Sequence, residues 1–170
     1  MKKNRSRTIC FAALVAALYV VLTWLSALLG LSSGAPQCRL SEALCVLPLF
    51  SSAAVPGLGI GCFLANLLFS PVPADWIFGT LATVLGAVGC RLIGRLLRSR
   101  SFGALVLSTL PNTVMNTLII PFVLRYAYGL EQGVGLLMIE VGVGEVISCC
   151  ILGTALALAL RPHIKSLPNL

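Results

Sequence analysis

From Thr8 to Leu31 the chain runs for ~24 residues without a charged side chain, the length at which an α-helix crosses the hydrocarbon core of a bilayer. Similar stretches recur to the end of the sequence, so lipid rather than water must face most side chains. Composition agrees. Of 170 residues, 58% are hydrophobic and 10% are charged, whereas a soluble domain carries roughly a quarter charged residues. The length admits one membrane domain of several spans and no separate soluble domain. Lys2, Lys3, Arg5 and Arg7 precede the first run. A cleaved signal has a core of only about 7–15 residues, so this run is read as a retained first helix.

Turn formers and prolines divide the rest. The expected helices cover about 8–31, 39–51, 57–69, 74–97, 102–126 and 132–160. The second is short for a full span. The fifth holds Pro111 and Pro121, which kink a helix and free backbone carbonyls. Basic residues cluster at the N-terminus, at the end of the fourth helix (Arg91, Arg95, Arg98, Arg100) and in the tail from Arg161 to Lys165. Six crossings put all three clusters on one side, as the excess of cytoplasmic Lys and Arg requires; five would not. The expected fold is an all-α membrane protein of six transmembrane helices with both termini cytoplasmic. The net charge of +7 is read as membrane orientation and not as a nucleic-acid signal.

Few polar residues fall within these spans, and a charge there is costly unless it has a partner or a task. Arg39 and Glu42, in QCRLSEALCVLP, are three apart and can pair on one helix face. Glu42, Asn66 and Asp75 are expected on the outer side, and Asp75 also suits a helix N-terminus. Glu140 and Asn116 fall at comparable depths, roughly 12 and 15 Å from the outer surface, with Asn112 and Glu145 deeper. A carboxylate and carboxamides at one level form a polar pocket open to the outside, suited to a small ligand rich in hydrogen-bond donors. The competing reading is an internal network that only locks helices together. It stands level with ligand contact for Glu145, whereas Glu140 and Asn116 favour ligand contact, because a buried carboxylate needs donors. Trp24 and Trp76 are interfacial anchors or pocket walls.

The seven cysteines form no CxxC pair and read as small apolar fillers. His163 sits in the basic tail and is given no chemistry. No phosphate-binding GxxxxGK[ST] loop, GxSxG elbow or HExxH helix is present. No base is placed to activate a serine or cysteine, so the chain is read as a non-enzyme with no metal or cofactor. Ala12, Ala13, Ala16 and Ala17 form two AxxxA pairs, which by spacing alone read as packing against a neighbour in the same protein.

QCRLSEALCVLP, VPGLGIGCFLANLL, DWIFGTLATVLGA and GEVISCCILG, in this order, resemble the QueT-type queuosine-precursor transporters. These are substrate-binding S components of energy-coupling factor (ECF) transporters. The resemblance implies an S-component bundle in a prokaryotic cell membrane that works with a transmembrane coupling subunit and two ATPase subunits. It implies that Ala12, Ala13, Ala16 and Ala17 form the docking face for that partner. It implies a 7-deazaguanine ligand, whose guanine edge would be read by Glu140, with Asn112 or Asn116 on its carbonyl edge. Trp24 or Trp76 would stack on the ring, and Asp75 or Glu42 would balance an aminomethyl group. Arg39, Asn66 and Glu145 complete the implied site. The alternative is a solitary ion-coupled carrier with Glu145 as its proton site; a third reading is a scaffold without a ligand.

Overall fold

The computed structural model describes residues 2–31, 37–97 and 101–162. Arg98, Arg100, His163, Lys165 and part of the linker from Gly30 to Gln37 lie outside the described residues. The described chain is helical, with no strand among its residues. The elements are α1 (Lys2–Leu28), a 3-10 helix (Leu40–Leu49), α2 (Ala54–Phe69), α3 (Pro73–Leu97), α4 (Phe102–Tyr126), α5 (Val134–Glu145), a π-helical segment (Val146–Leu152) and α6 (Gly153–Leu160). The last three form one rod. Among the described residues four helices are long and apolar enough to cross a membrane: Arg5–Leu28, Pro73–Leu97, Phe102–Tyr126 and Val134–Leu160. The 3-10 helix and α2 are apolar but shorter.

α1 stops earlier than expected because of Gly30, at φ 71°. Leu31 N donates to Ser26 O at 2.9 Å and Gly30 N to Ala27 O at 3.0 Å, which closes the helix end in a Schellman pair. The second helix differs in kind. Its ten residues wind as 3-10, whose tighter coil rarely persists beyond a few residues. Side chains of α1 support it as it descends. Leu40 N donates to Ser26 Oγ at 2.9 Å, Thr23 Oγ1 donates to Ser41 Oγ at 2.9 Å, and Tyr19 donates to Glu42. Three successive α1 turns thus hold three successive residues.

Small residues set the helix spacing. A Cβ on Gly57 would lie 2.7 Å from Ala12 O, and one on Gly61 would lie 2.9 Å from Ala16 Cα, so α2 rests on the α1 backbone. Ala12 and Ala16 therefore pack within the protein, while Ala13 and Ala17 stay exposed. Gly89 of α3 faces Pro111 of α4, with 2.6 Å from its added Cβ to the ring, and Gly86 faces Asn112. The proline is accommodated because α3 offers it a flat surface. The main core joins Val15 and Tyr19 of α1, Leu44 and Cys45 of the 3-10 helix, Leu58, Cys62 and Ala65 of α2, and Cys149 of the π segment.

Candidate functional site

Two chambers meet near the end of the bundle where α1, α2 and α4 finish. The larger, of about 290 Å³, is lined by Thr23, Ala27, Gln37, Arg39, Asn66, Phe69, Ser70, Pro71, Leu124, Tyr128 and Leu130. The smaller, of about 20 Å³, is lined by Gln37, Arg39, Glu42, Cys62, Gly79, Thr83, Asn116, Ile120, Val141 and Glu145. That is room for roughly one water molecule. Gln37 and Arg39 belong to both walls. A still larger groove of about 500 Å³ between α3 and α4 is walled by Phe78, Leu81, Leu118 and Phe122. Those side chains are exposed in spanning helices, and the groove offers almost no polar group to orient a solute.

Glu42 is the hub of the smaller chamber. It is 2% exposed. One carboxylate oxygen accepts from Tyr19; the other accepts from Asn112 Nδ2 at 2.8 Å and from Cys45 Sγ at 3.2 Å. The second hydrogen of the Asn112 amide points to Glu145 Oε2 at 3.4 Å. One carboxamide therefore bridges two carboxylates. Asn112 Oδ1 accepts from no donor and lies against Gly86 instead. Asn116, one turn along α4, is 4% exposed, and its Nδ2 has no hydrogen-bond partner. A buried donor left unmade costs ~1–3 kcal/mol, which the fold tolerates only if something else is gained. Glu145 ends α5 where the rod changes to π winding, a local distortion frequent at functional sites.

Arg39 does not pair with Glu42. Its Nη2 lies 3.5 Å from Asp75 Oδ2 and 3.2 Å from Gln37 Oε1, and its Nη1 donates to Asn66 Oδ1 at 3.1 Å. Arg39 precedes the 3-10 helix in an extended conformation, which turns its side chain toward α2 and α3. Asn66 Nδ2 donates to the Asp75 carbonyl at 3.1 Å, and Gly79 leaves room for that amide. Asp75 also accepts from Tyr128 Oη at 3.2 Å. Burial, and then the Asp75 charge, push the Tyr128 hydroxyl above its ordinary value, so it keeps the proton it donates.

The structure therefore gathers Arg39, Asn66 and Asp75 in one group, and Glu42, Asn112, Asn116 and Glu145 in another. Three expected site residues fall elsewhere. Glu140 lies half-buried on α5 and lines neither chamber, because five residues of helix turn it well away from Glu145. Trp24 is 50% exposed on the outside of α1. Trp76 donates its ring N–H to Ser70 O at 3.1 Å and lines neither chamber. Sequence reasoning missed Tyr19, Thr23, Gln37, Phe69, Thr83 and Tyr128. A tyrosine in the middle of an apolar span was the available signal for Tyr19. Among the described residues no group of three His, Cys, Asp or Glu side chains is placed to hold a metal ion.

Residues 9–162 match the family model described as QueT transporter. The chain belongs to the QueT transporter family. It is 39% identical over 85 residues to the protein named Queuosine precursor transporter QueT from Lactococcus lactis subsp. cremoris (strain MG1363). The aligned stretch is 50% of this chain and 50% of that protein's length. No solved structure matches the chain. The family is one of transporters rather than enzymes, and the four long apolar helices fit a multi-pass membrane protein.

Proposed function

We propose that the chain is the solute-binding subunit of an ATP-driven ECF-type uptake transporter for a queuosine precursor or a related 7-deazaguanine. It crosses a prokaryotic cell membrane six times, the 3-10 helix and α2 forming a paired short crossing beside the four long ones. Both ends lie in the cytoplasm, an arrangement favoured by Arg5 and Arg7 at the start of α1, Arg91 and Arg95 near the end of α3 and Arg161 after α6.

The observation that carries the ligand assignment is the convergence of Glu42, Glu145 and the unpartnered amide of Asn116 on one small chamber. A guanine-like edge donates N–H and NH₂ groups to a carboxylate as a fork. The free N–H of Asn116 then meets a ligand carbonyl. The edge-reading role passes from Glu140 to Glu42 and Glu145, because Glu140 lines neither chamber. Phe69 and Tyr128, in the wall of the larger chamber, take the stacking role expected of Trp24 and Trp76. Asp75 supplies the counter-charge for an aminomethyl group. The name of the Lactococcus relative, a queuosine precursor transporter, supports this ligand class.

Energy comes from a separate transmembrane subunit and two ATPase subunits, since the sequence holds no phosphate-binding loop. The exposed Ala13 and Ala17 are the docking residues for that partner. The test is uptake of a labelled 7-deazaguanine by cells that make this chain with and without the coupling and ATPase subunits. Uptake only with those subunits is expected. Uptake by the chain alone would favour an ion-coupled carrier, for which the mid-membrane position of Glu145 is suited. No uptake in either case, with no thermal shift on adding deazapurines, would sink the assignment.

A further inference from the structure

The chamber with room for a solute is not the chamber with the acids. About 290 Å³ lies on one side of Arg39, and about 20 Å³, with Glu42, Asn116 and Glu145, lies on the other. A nucleobase-sized solute fits only the first. Something between them must move before a solute edge reaches a carboxylate.

Two residues form the shared wall. Gln37 is fixed through its backbone, because Gly144 of α5 packs directly on its carbonyl. Arg39 is held differently. Its guanidinium makes three separate single contacts, to Asn66, Gln37 and Asp75, at 3.1, 3.2 and 3.5 Å. It forms no parallel two-bond fork with the carboxylate, the geometry that makes arginine pairs strong. The one charged acceptor it would leave behind stays satisfied, because Asp75 keeps the Tyr128 hydroxyl. The carboxamide oxygens of Asn66 and Gln37 would turn to water or to an entering solute in the larger chamber, which both residues line. Release of the arginine therefore strands no buried charge without a donor, and it needs only rotation of a flexible stem.

We propose that Arg39 is a movable partition between the two chambers, and that a solute gains the Glu42–Asn116–Glu145 chamber when the guanidinium leaves Asp75 and Asn66. This rests on the solute-binding reading above and adds to it how the site opens. Arg39 is thus a positioning and gating residue as well as a wall.

Cys62 provides the readout, because it lines the smaller chamber and is 1% exposed. Cys90, 0% exposed and outside both chambers, is the control. Full-length protein in membrane vesicles is treated with methanethiosulfonate ethylammonium, and modification at each cysteine is followed by peptide mass. Arg39→Lys keeps the positive charge near the thiol but loses the three-way hold. Asp75→Asn removes the ionic contact. Both should accelerate Cys62 modification by about fivefold, the scale of losing a modest ion pair, with Cys90 unchanged. If either variant loosens the bundle and Cys90 rises too, Gln37→Glu decides, since it keeps the side chain in the wall and adds an ionic contact that holds Arg39 in place. Faster Cys62 with a steady Cys90 in the first two variants, or slower Cys62 with a steady Cys90 in Gln37→Glu, supports the partition; an unchanged Cys62, or both thiols moving together in Gln37→Glu, overturns it. No solute is needed, so failure here leaves the transport assignment to its own test.

Discussion

Tyr19, in the middle of α1, donates its hydroxyl to the carboxylate of Glu42, which lies twenty-three positions later on the 3-10 helix. Both side chains are buried, at 0% and 2% exposure. The carboxylate the sequence would pair with Arg39 is thus held by a phenol, a carboxamide and a thiol. Arg39 is left to the neighbouring group around Asp75.

Tyr19→Phe should therefore destabilise the bundle by about 1–3 kcal/mol, because the buried Glu42 oxygen loses its donor while the ring still fills its place. The check is thermal or denaturant unfolding in detergent. Glu42→Gln should cost less in the Tyr19→Phe background than alone, since the two side chains share one interaction. Additive losses would mean that the hydroxyl does not support this carboxylate.

Asn116 should behave oppositely in stability and in binding. Its Nδ2 is buried without a partner. Asn116→Leu replaces an unmade donor by an apolar group of similar shape, so the ligand-free protein should be as stable or slightly more stable. Affinity for a 7-deazaguanine should fall at least tenfold, the scale of ~1.4 kcal/mol for a lost hydrogen bond in a dry site. Thermal shift with and without the ligand measures both. A stability loss with unchanged affinity would assign Asn116 to packing.

How much of this was readable from the chain follows from the physics of each element. Apolar length is a one-dimensional property, so the four long helices were legible from Arg5 to Leu160. The four-residue spacing of Asn112 and Asn116 also placed both on one face of α4. The 3-10 winding was not legible. Its residues, LSEALCVLPL, suit an α-helix, and the tighter coil is imposed by the contacts of Leu40, Ser41 and Glu42 with α1. Helical neighbours suggested Arg39 with Glu42, whereas the actual partners, Tyr19 and Asn112, are twenty-three and seventy positions from Glu42. The sequence favours Glu140 as the ligand contact and leaves Glu145 level between ligand and helix lock, whereas the structure sets Glu145, not Glu140, in the wall of the smaller chamber. Only the rotation of the rod against α4 separates them.

Two glycines should be intolerant of even one methyl group. A Cβ at Gly144 would overlap the Gln37 carbonyl, which is backbone and cannot step aside. A Cβ at Gly79 would sit 2.7 Å from Asn66 Nδ2 and 3.2 Å from Asp75 Oδ1. Gly144→Ala should displace the segment that carries Arg39, and Gly79→Ala should break the Asn66–Asp75 contact. Each should cost about 1–3 kcal/mol by overpacking. Gly103→Ala is the control, because nothing lies within 4 Å of its added Cβ. Equal unfolding temperatures for all three variants would show that the close approaches are not there.

The alanine pairs of α1 divide by face, and so should their variants. Ala16 is 7% exposed and meets Gly61 of α2, whereas Ala13 and Ala17 are exposed. Ala16→Leu forces a branched side chain into a backbone contact and should lower the unfolding temperature of the isolated protein. Ala13→Leu with Ala17→Leu meets no helix of this chain, so stability and ligand-induced thermal shift should stay as in the unaltered protein. If that face seats a coupling subunit, the double variant should fail to co-purify with it and should lose uptake while still binding solute. The decisive measurement is co-purification of the double variant with its coupling subunit. Full complex formation and uptake would remove Ala13 and Ala17 from the docking face and move the search to another side of the bundle.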